Sequence, residues 1–322
     1  MAFEEARSLV QAELQAIDQF ITNELRSDVP LINQIMEYIL KCGGKRIRPL
    51  VLILSAKAFN HQGHHPIHLA AVIELIHTAT LLHDDVVDHS TLRRGHKTAN
   101  ILWGNEASVL VGDFLYSRAF QVIVELRSQR TLDMVAHATH YIAEGEMLQL
   151  VHAHNPDTSE EMYFDIIRRK TAKLFAVAAE LGVVLLERED KENQAMRNYG
   201  MDLGLAYQLI DDVLDYRNSA EQTGKNIGND LAEGKTTLPL IYALQKGTPA
   251  EVKLLQKAIK KGETRYLQDI MEIIVSTGAI QYTAQAARQY AQKACAVLTH
   301  VPSSPYRQAL HDLADFVVQR SY

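Results

Sequence analysis

Two clusters of aspartates carry the strongest chemical signal in the chain. The first lies in "LLHDDVVDHSTLRRG" (81–95), which sets Asp84, Asp85 and Asp88 together and follows them with Arg93 and Arg94. On a helix, residues four apart share a face and adjacent residues are neighbours around the cylinder, so these acids crowd and repel. Like charges this close raise one another's pKa unless a cation lies between them. The second cluster, in "AYQLIDDVLDY" from Ala206, repeats the spacing with Asp211, Asp212 and Asp215. Both interrupt apolar helices, so neither reads as a solvated acidic face. One stripe of the first helix carries His77, Thr80, Asp84 and Asp88, and one stripe of the second carries Gln208, Asp211 or Asp212, and Asp215. If the two helices face each other across a cavity, six carboxylates converge. Oxygen-only ligands with room between them suit Mg²⁺, which keeps several waters and shares its shell with a substrate phosphate. Zinc would ask for histidine or cysteine in a tetrahedral set.

Basic residues supply the complement. "GGKRIRP" places Lys45, Arg46 and Arg48 after a pair of glycines that let the backbone approach an anion, and arginine offers forked donors to phosphate oxygens. Taken alone it is equally a solvated basic turn, and it lacks the GxxxxGK[ST] spacing of a nucleotide loop. Beside the acids, it reads as a second diphosphate site that needs no metal. Lys170, Lys225 and Lys235 lie near or after the later helices.

The elements that must position these groups are helical. Apolar spacings of three and four dominate, with breakers at 61–66, 89–104, 152–159, 216–239, 246–250 and 301–305, and helices of fifteen or more residues are expected between them. The reading is all-α: one large helical bundle around a deep central cavity, a single domain over residues 1–322. The apolar run from Leu69 stops at the acids and is broken by Glu74 and His77, which predicts a buried helix instead of a membrane span. A net charge of -6 argues against nucleic-acid binding, and two cysteines, Cys42 and Cys295, fit a reducing cytoplasm. The N-terminal stretch "MAFEEARSLVQAELQAI" is amphipathic and acidic, unlike a signal peptide, and membrane contact is at most peripheral.

"GGKRIRP", "LLHDDVVDHSTLRRG", "GEMLQL", "KTAKLF", "YQLIDDVLDY" and "GKNIGNDLAEGKTTLP" occur in the order found in trans-prenyl diphosphate synthases, and the chain resembles that family from about residue 25 to its C-terminus. The resemblance implies an isoprenoid synthase fold, a homodimer, and Mg²⁺-dependent head-to-tail addition of isopentenyl diphosphate to an allylic primer, farnesyl diphosphate being expected. It assigns Asp84, Asp88 and Asp211 to Mg²⁺, with Asp85, Asp212 and Asp215 binding further metal or its waters. Arg93, Lys170, Lys225 and Lys235 would hold the allylic diphosphate; Lys45, Arg48, His77 and Arg94 would hold isopentenyl diphosphate. Thr171 and Gln208 would face the allylic cation. Overall likeness further implies an octaprenyl product for ubiquinone, with heptaprenyl to decaprenyl, or a shorter geranylgeranyl product, as alternatives.

Product length should depend on the floor beneath the acids, where Ala79 and Thr80 lie about one turn of roughly 5.4 Å below Asp84. Short-chain members of the family often carry an aromatic residue here. A lower floor would come from the facing helix near Ala107, with Phe120, Ile123, Leu126 and Val135 as candidates. Glu146 and Gln149 are either substrate-facing or ordinary interior polar groups. Asp230 supports metal waters or caps a helix, Trp103 reads as packing, and His61, His64 and His65 read as an exposed loop cluster. Two other readings compete. A terpene cyclase would carry NDxx[ST]xxxE where this chain has "NDLAEGKTT" and a second aspartate triad; a non-catalytic partner subunit would tend to lose one triad.

Overall fold

The computed structural model describes residues 2–186, 190–217 and 228–319. Its order is α1 (Ala2–Ser8), α2 (Gln11–Glu24), α3 (Pro30–Lys41), α4 (Ile47–Ala58), α5 (His65–Val87), a hairpin of β1 (Leu92–Arg93) and β2 (His96–Lys97), α6 (Ala99–Trp103), α7 (Asn105–Glu125), α8 (Gln129–His152) and α9 (Glu160–Ile167). One π-helical turn (Arg168–Ala172) then leads into α10 (Lys173–Val184). There follow α11 (Asp190–Asp215), α12 (Asn229–Ala232), α13 (Leu238–Lys246), α14 (Pro249–Lys261), α15 (Leu267–Ser276), α16 (Ala279–Val297) and α17 (Pro305–Gln319).

The all-α expectation holds, and two details of it do not. The region 89–104, read as a plain break, holds an antiparallel hairpin pairing Leu92 with Lys97 and Arg93 with His96, and then α6. Several helices are shorter than fifteen residues: α3 and α4 have 12 each and α9 has 8. Their ends are set by local chemistry that apolar spacing does not register. Ser159 accepts from Met162 N to start α9, and Thr248 with Glu251 forms a reciprocal cap on α14.

α4, α5, α10 and α11 pack side by side at the centre, with α7 against α5 and α16 against α11. From Leu69 to Ile76 every residue of α5 is buried; beyond that only Ala79, Leu82 and Asp85 are, at steps of three. The helix therefore enters the core on all sides and emerges with one face toward a cavity. By length and composition α5 and α7 are both apolar enough to cross a membrane, which corrects the shorter run read from sequence, but α5 is the protein's own core helix. A second apolar cluster joins α13 to α16 with Val213 and Tyr216, at and just beyond the end of α11.

Close approach of α11 to the π-turn depends on Gly204, where a Cβ would lie 2.6 Å from Ala172 Cα. That contact is backbone, so it cannot give way cheaply. Gly204→Val is expected to cost about 1–3 kcal/mol of stability, the range for overpacking a core, seen as a lower urea midpoint in denaturation followed by circular dichroism.

Candidate active site

Between α5 and α11 lies a cavity of about 770 Å³, within the size range that encloses small-molecule ligands. His77, Thr80, Asp84 and Asp88 line it from α5, and Gln208, Asp211, Asp212 and Asp215 line it from α11. Both stripes expected from sequence face the same space. Asp211 and Asp212 both reach it, which resolves the choice left open by spacing.

Asp85 is the correction. One residue advances a helix by about 100°, which turns Asp85 away from Asp84 and onto the buried side with Ala79 and Leu82. Its carboxylate accepts from Arg93 Nε at 2.8 Å and pairs with Nη2 at 2.7 Å. Burial pulls the Arg93 guanidinium down, but Asp85 outweighs it and the net direction is up. Five of the six carboxylates line the cavity; the sixth holds an arginine that also lines it.

The acids are balanced by lysines. Lys235 Nζ lies 2.6 Å from Asp88 and 2.5 Å from Glu233, and Lys170 Nζ lies 3.4 Å from Asp84 and 2.5 Å from Glu146. Burial pushes Asp88 up, yet Lys235 overrides it and leaves the carboxyl below its usual value. Glu146 goes the other way: burial lifts it to about 7, with Lys170 pulling it part of the way back. Asp212 is raised well above an ordinary aspartate by burial and then by Asp230, against the hydrogen bonds it receives from Tyr163 at 2.5 Å and Gln208 at 2.8 Å. Thr171 Oγ1 in turn donates to Gln208 Oε1 at 2.9 Å. Oxygen donors from two facing helices, without sulfur, fit a hard divalent cation better than zinc.

The same cavity also carries basic residues. Lys45, Arg48, His77, Arg93 and Arg94 all line the cavity. Arg46 does not: it pairs with Glu74 at 2.6 Å and Asp18 at 3.5 Å. A Cβ at Gly44 would meet Arg94 Nη1 at 2.6 Å, so a side chain there would displace that guanidinium. Arg48 stacks 4.3 Å from the Phe175 ring, and its Nε is buried with no partner. Burial holds His77 well below its usual pKa, and the nearby Arg48, Arg94, Arg93 and Arg46 push it lower still. A neutral imidazole among guanidiniums, beside an unsatisfied buried N–H, is a site built to receive an anion.

Sequence reasoning missed the π-turn. It carries Lys170 and Thr171 in consecutive positions and brings both into the cavity, in keeping with the frequent use of such turns at functional sites. Tyr163 and Glu233 were missed as well; Glu233 lies inside the quoted "GKNIGNDLAEGKTTLP", whereas no quoted motif contains Tyr163. Glu146, Gln149 and Asp230 do line the cavity. Of the floor candidates, Thr80 lines it, whereas Ala79 and Ile123 are fully buried in the main core. Ile123 and Phe120 lie on α7 as expected, but Leu126 caps that helix and Val135 belongs to α8. Lys225 lies outside the described residues. Trp103 packs edge-on to Tyr38 with ring centroids 5.2 Å apart.

The polyprenyl synthetase family model matches residues 29–275. The chain belongs to the polyprenyl synthetase family. It is 46% identical over 321 residues to octaprenyl diphosphate synthase of Escherichia coli K12, covering 99% of both chains. It is 42% identical over 312 residues to the geranyl-diphosphate-specific all-trans-nonaprenyl-diphosphate synthase of Rhodobacter capsulatus, covering 97% of this chain and 96% of that one. Among solved structures, a polyprenyl synthase from Caulobacter crescentus CB15, complexed with calcium and isoprenyl diphosphate, superposes with a TM-score of 0.96 at 43% identity, covering 99% of this chain and 98% of that one. A decaprenyl diphosphate synthase from Rhodobacter capsulatus gives 0.94 at 39% identity, with 99% of each chain covered. The fold is that of isoprenoid synthases, and the protein is a prenyltransferase of the long-chain trans class acting on allylic and isopentenyl diphosphates.

If Asp85 acts by positioning Arg93, Asp85→Ala should raise the KM for the allylic diphosphate by about 10- to 100-fold, the worth of a charged hydrogen bond, while the metal concentration for half-maximal rate stays put. Steady-state titrations of primer and of metal check this, and a shift in the metal midpoint alone would make Asp85 a ligand.

Proposed function

We propose that this prenyltransferase extends farnesyl diphosphate with isopentenyl diphosphate to octaprenyl diphosphate, destined for a ubiquinone side chain, and that Mg²⁺ is its metal. The observation that carries the reading is one cavity lined by aspartates from α5 and α11 together with basic residues from the start of α4, from α5 and from the hairpin that follows it. Support for the product comes from the octaprenyl synthases at 46% and 44% identity.

In this reading Asp84, Asp88, Asp211 and Asp215 hold the metal, with Asp212 fixed behind them by Tyr163 and Gln208. The metal supplies charge stabilisation to the diphosphate that leaves. Lys170, Lys235 and Arg93 bind that same diphosphate, so the interactions strengthen as its negative charge grows and the carbon–oxygen bond ionises. Lys45, Arg48, His77 and Arg94 anchor the other diphosphate, which stays intact. Holding both chains makes the attack of the double bond on the allylic cation effectively unimolecular. Because Thr171 donates its only hydroxyl proton to Gln208, its oxygen lone pairs are left to face the cation. The departing diphosphate is the base for the final proton.

The whole chain would work as one domain, in the cytoplasm, and as a homodimer. Support for the dimer is the exposed apolar surface of α7 and α8, where Leu110 is 66% and Val151 70% exposed, with Val109, Val124 and Leu150 also open. Such surface on a soluble chain marks a contact site. Leu110→Glu is expected to yield monomers in light scattering, and an unchanged mass would place the contact elsewhere.

The first test is a product assay with Mg²⁺, farnesyl diphosphate and labelled isopentenyl diphosphate. Octaprenol after hydrolysis is the expected main product. No incorporation with any allylic primer would overturn the assignment. Thr80→Tyr should shorten the product while condensation continues, because Thr80 lines the cavity about one turn from Asp84 and a ring there would fill part of it. Active enzyme with unchanged product length would remove Thr80 from the floor.

A further inference from the structure

A second group of metal-ligating side chains lies away from this cavity, at the seam between α16 and α17. Cys295 is on α16; His311 and Asp315 are one turn apart on α17. One ligand atom from each of the three lies within 4.8 Å of the others. His311 Nδ1 is 3.4 Å from the Asp315 carboxylate, and the Cys295 thiol reaches to 3.9 Å from the His311 carbonyl oxygen. Asp312 adds a second carboxylate 3.9 Å from the same imidazole nitrogen. None of the four residues lines the substrate cavity.

We propose that Cys295, His311 and Asp315 form a binding site for a zinc-class divalent cation that ties α17 to α16. The donor set is sulfur, nitrogen and oxygen, the mixture that selects Zn²⁺ over the hard cations suited to the aspartate cavity. Zinc bonds of about 2.0–2.3 Å at tetrahedral angles put neighbouring ligand atoms roughly 3.3–3.6 Å apart. The imidazole and the Asp315 carboxylate already stand at that separation. The thiol lies within 4.8 Å of both, and it is half-buried beside groups that are exposed, so an ion can enter. Asp312 or water completes the coordination. On binding, the thiol proton passes to solvent and a sulfur–metal bond replaces the S–H bond.

A reactive surface thiol is the competing role for Cys295. Burial first, then Asp315 and Asp312, push this thiol up to about 11, where little nucleophilic thiolate exists. The consequence is mechanical. α17 packs on α1, α4, α11 and α16, so an ion at this seam would brace the C-terminal helix against the scaffold behind the active site.

The test uses the full chain after chelator treatment, without substrates, so that its outcome is independent of the prenyl-transfer assignment. Co²⁺ is the probe, because a thiolate ligand gives a charge-transfer absorption band that carboxylate sites lack. One equivalent of Co²⁺ should produce the band, Zn²⁺ should bleach it, and Zn²⁺ should raise the thermal midpoint. Cys295→Ser should abolish the band, and His311→Ala should weaken Co²⁺ binding at least tenfold. Cys42→Ser should leave both unchanged. Absence of a band at micromolar Co²⁺, or a band that survives Cys295→Ser or His311→Ala, would overturn the site. Thermal melts of the metal-free variants, expected to match wild type, separate lost ligation from lost folding.

Discussion

Eight carboxylates, the five motif aspartates with Asp230, Glu146 and Glu233, line one cavity and repel one another, and the rest of the structure is arranged around that constraint. Asp84, Asp88, Asp211, Asp212 and Asp215 share the space between α5 and α11. Lys170 and Lys235 offset part of the repulsion, and both cations reach more than one acid. Low local dielectric makes each of these interactions stronger than it would be in water, and makes any group left without a partner more costly. A site of this kind is preorganised for multivalent cations and for the phosphates that accompany them. The acids stay crowded because the scaffold holds them there.

That scaffold is stiff where the charges are. α5 is buried on all sides through Ile76 before it presents its acids, so Asp84 cannot swing away from Asp211 without moving the core. α11 approaches the π-turn over Gly204, and Gly145 of α8 lets the backbone of Lys170 come within 2.8 Å of where a Cβ would stand. Small residues at these crossings put Lys170 and Thr171 where a larger side chain would exclude them. The directed chain from Thr171 through Gln208 to Asp212, met by Tyr163 from α9, then fixes polar groups that would otherwise rotate. Catalysis by positioning depends on this kind of rigidity.

In the proposed mechanism, two diphosphate sites of different chemistry give the cavity its direction. In that mechanism the aspartates face the group whose bond breaks, while Arg48, Arg94 and a neutral His77 face the group that is only held. Arg93 stands at the border, fastened from behind by Asp85. A single electrostatic environment could not serve both ends, since stabilisation of the intact diphosphate does nothing for the barrier.

By itself the sequence determined the helical class, the identity of the two acidic stripes and the family. Those properties depend on local periodicity and on residue types at fixed spacing, which a linear chain displays openly. The stripe His77, Thr80, Asp84 and Asp88 survives in the folded protein because helical geometry is the same wherever the helix lies. Tertiary structure decided what periodicity cannot express. Asp85 differs from Asp84 only by one step of rotation, and only packing says which side of α5 meets the core. The π-turn arises from one extra residue per turn that no pattern of apolar spacing records. Arg46 and Arg48 are indistinguishable in "GGKRIRP" until Glu74 claims one and the cavity claims the other. Cys295 and His311 stand sixteen residues apart on separate helices, so their meeting depends on how α17 folds back along α16.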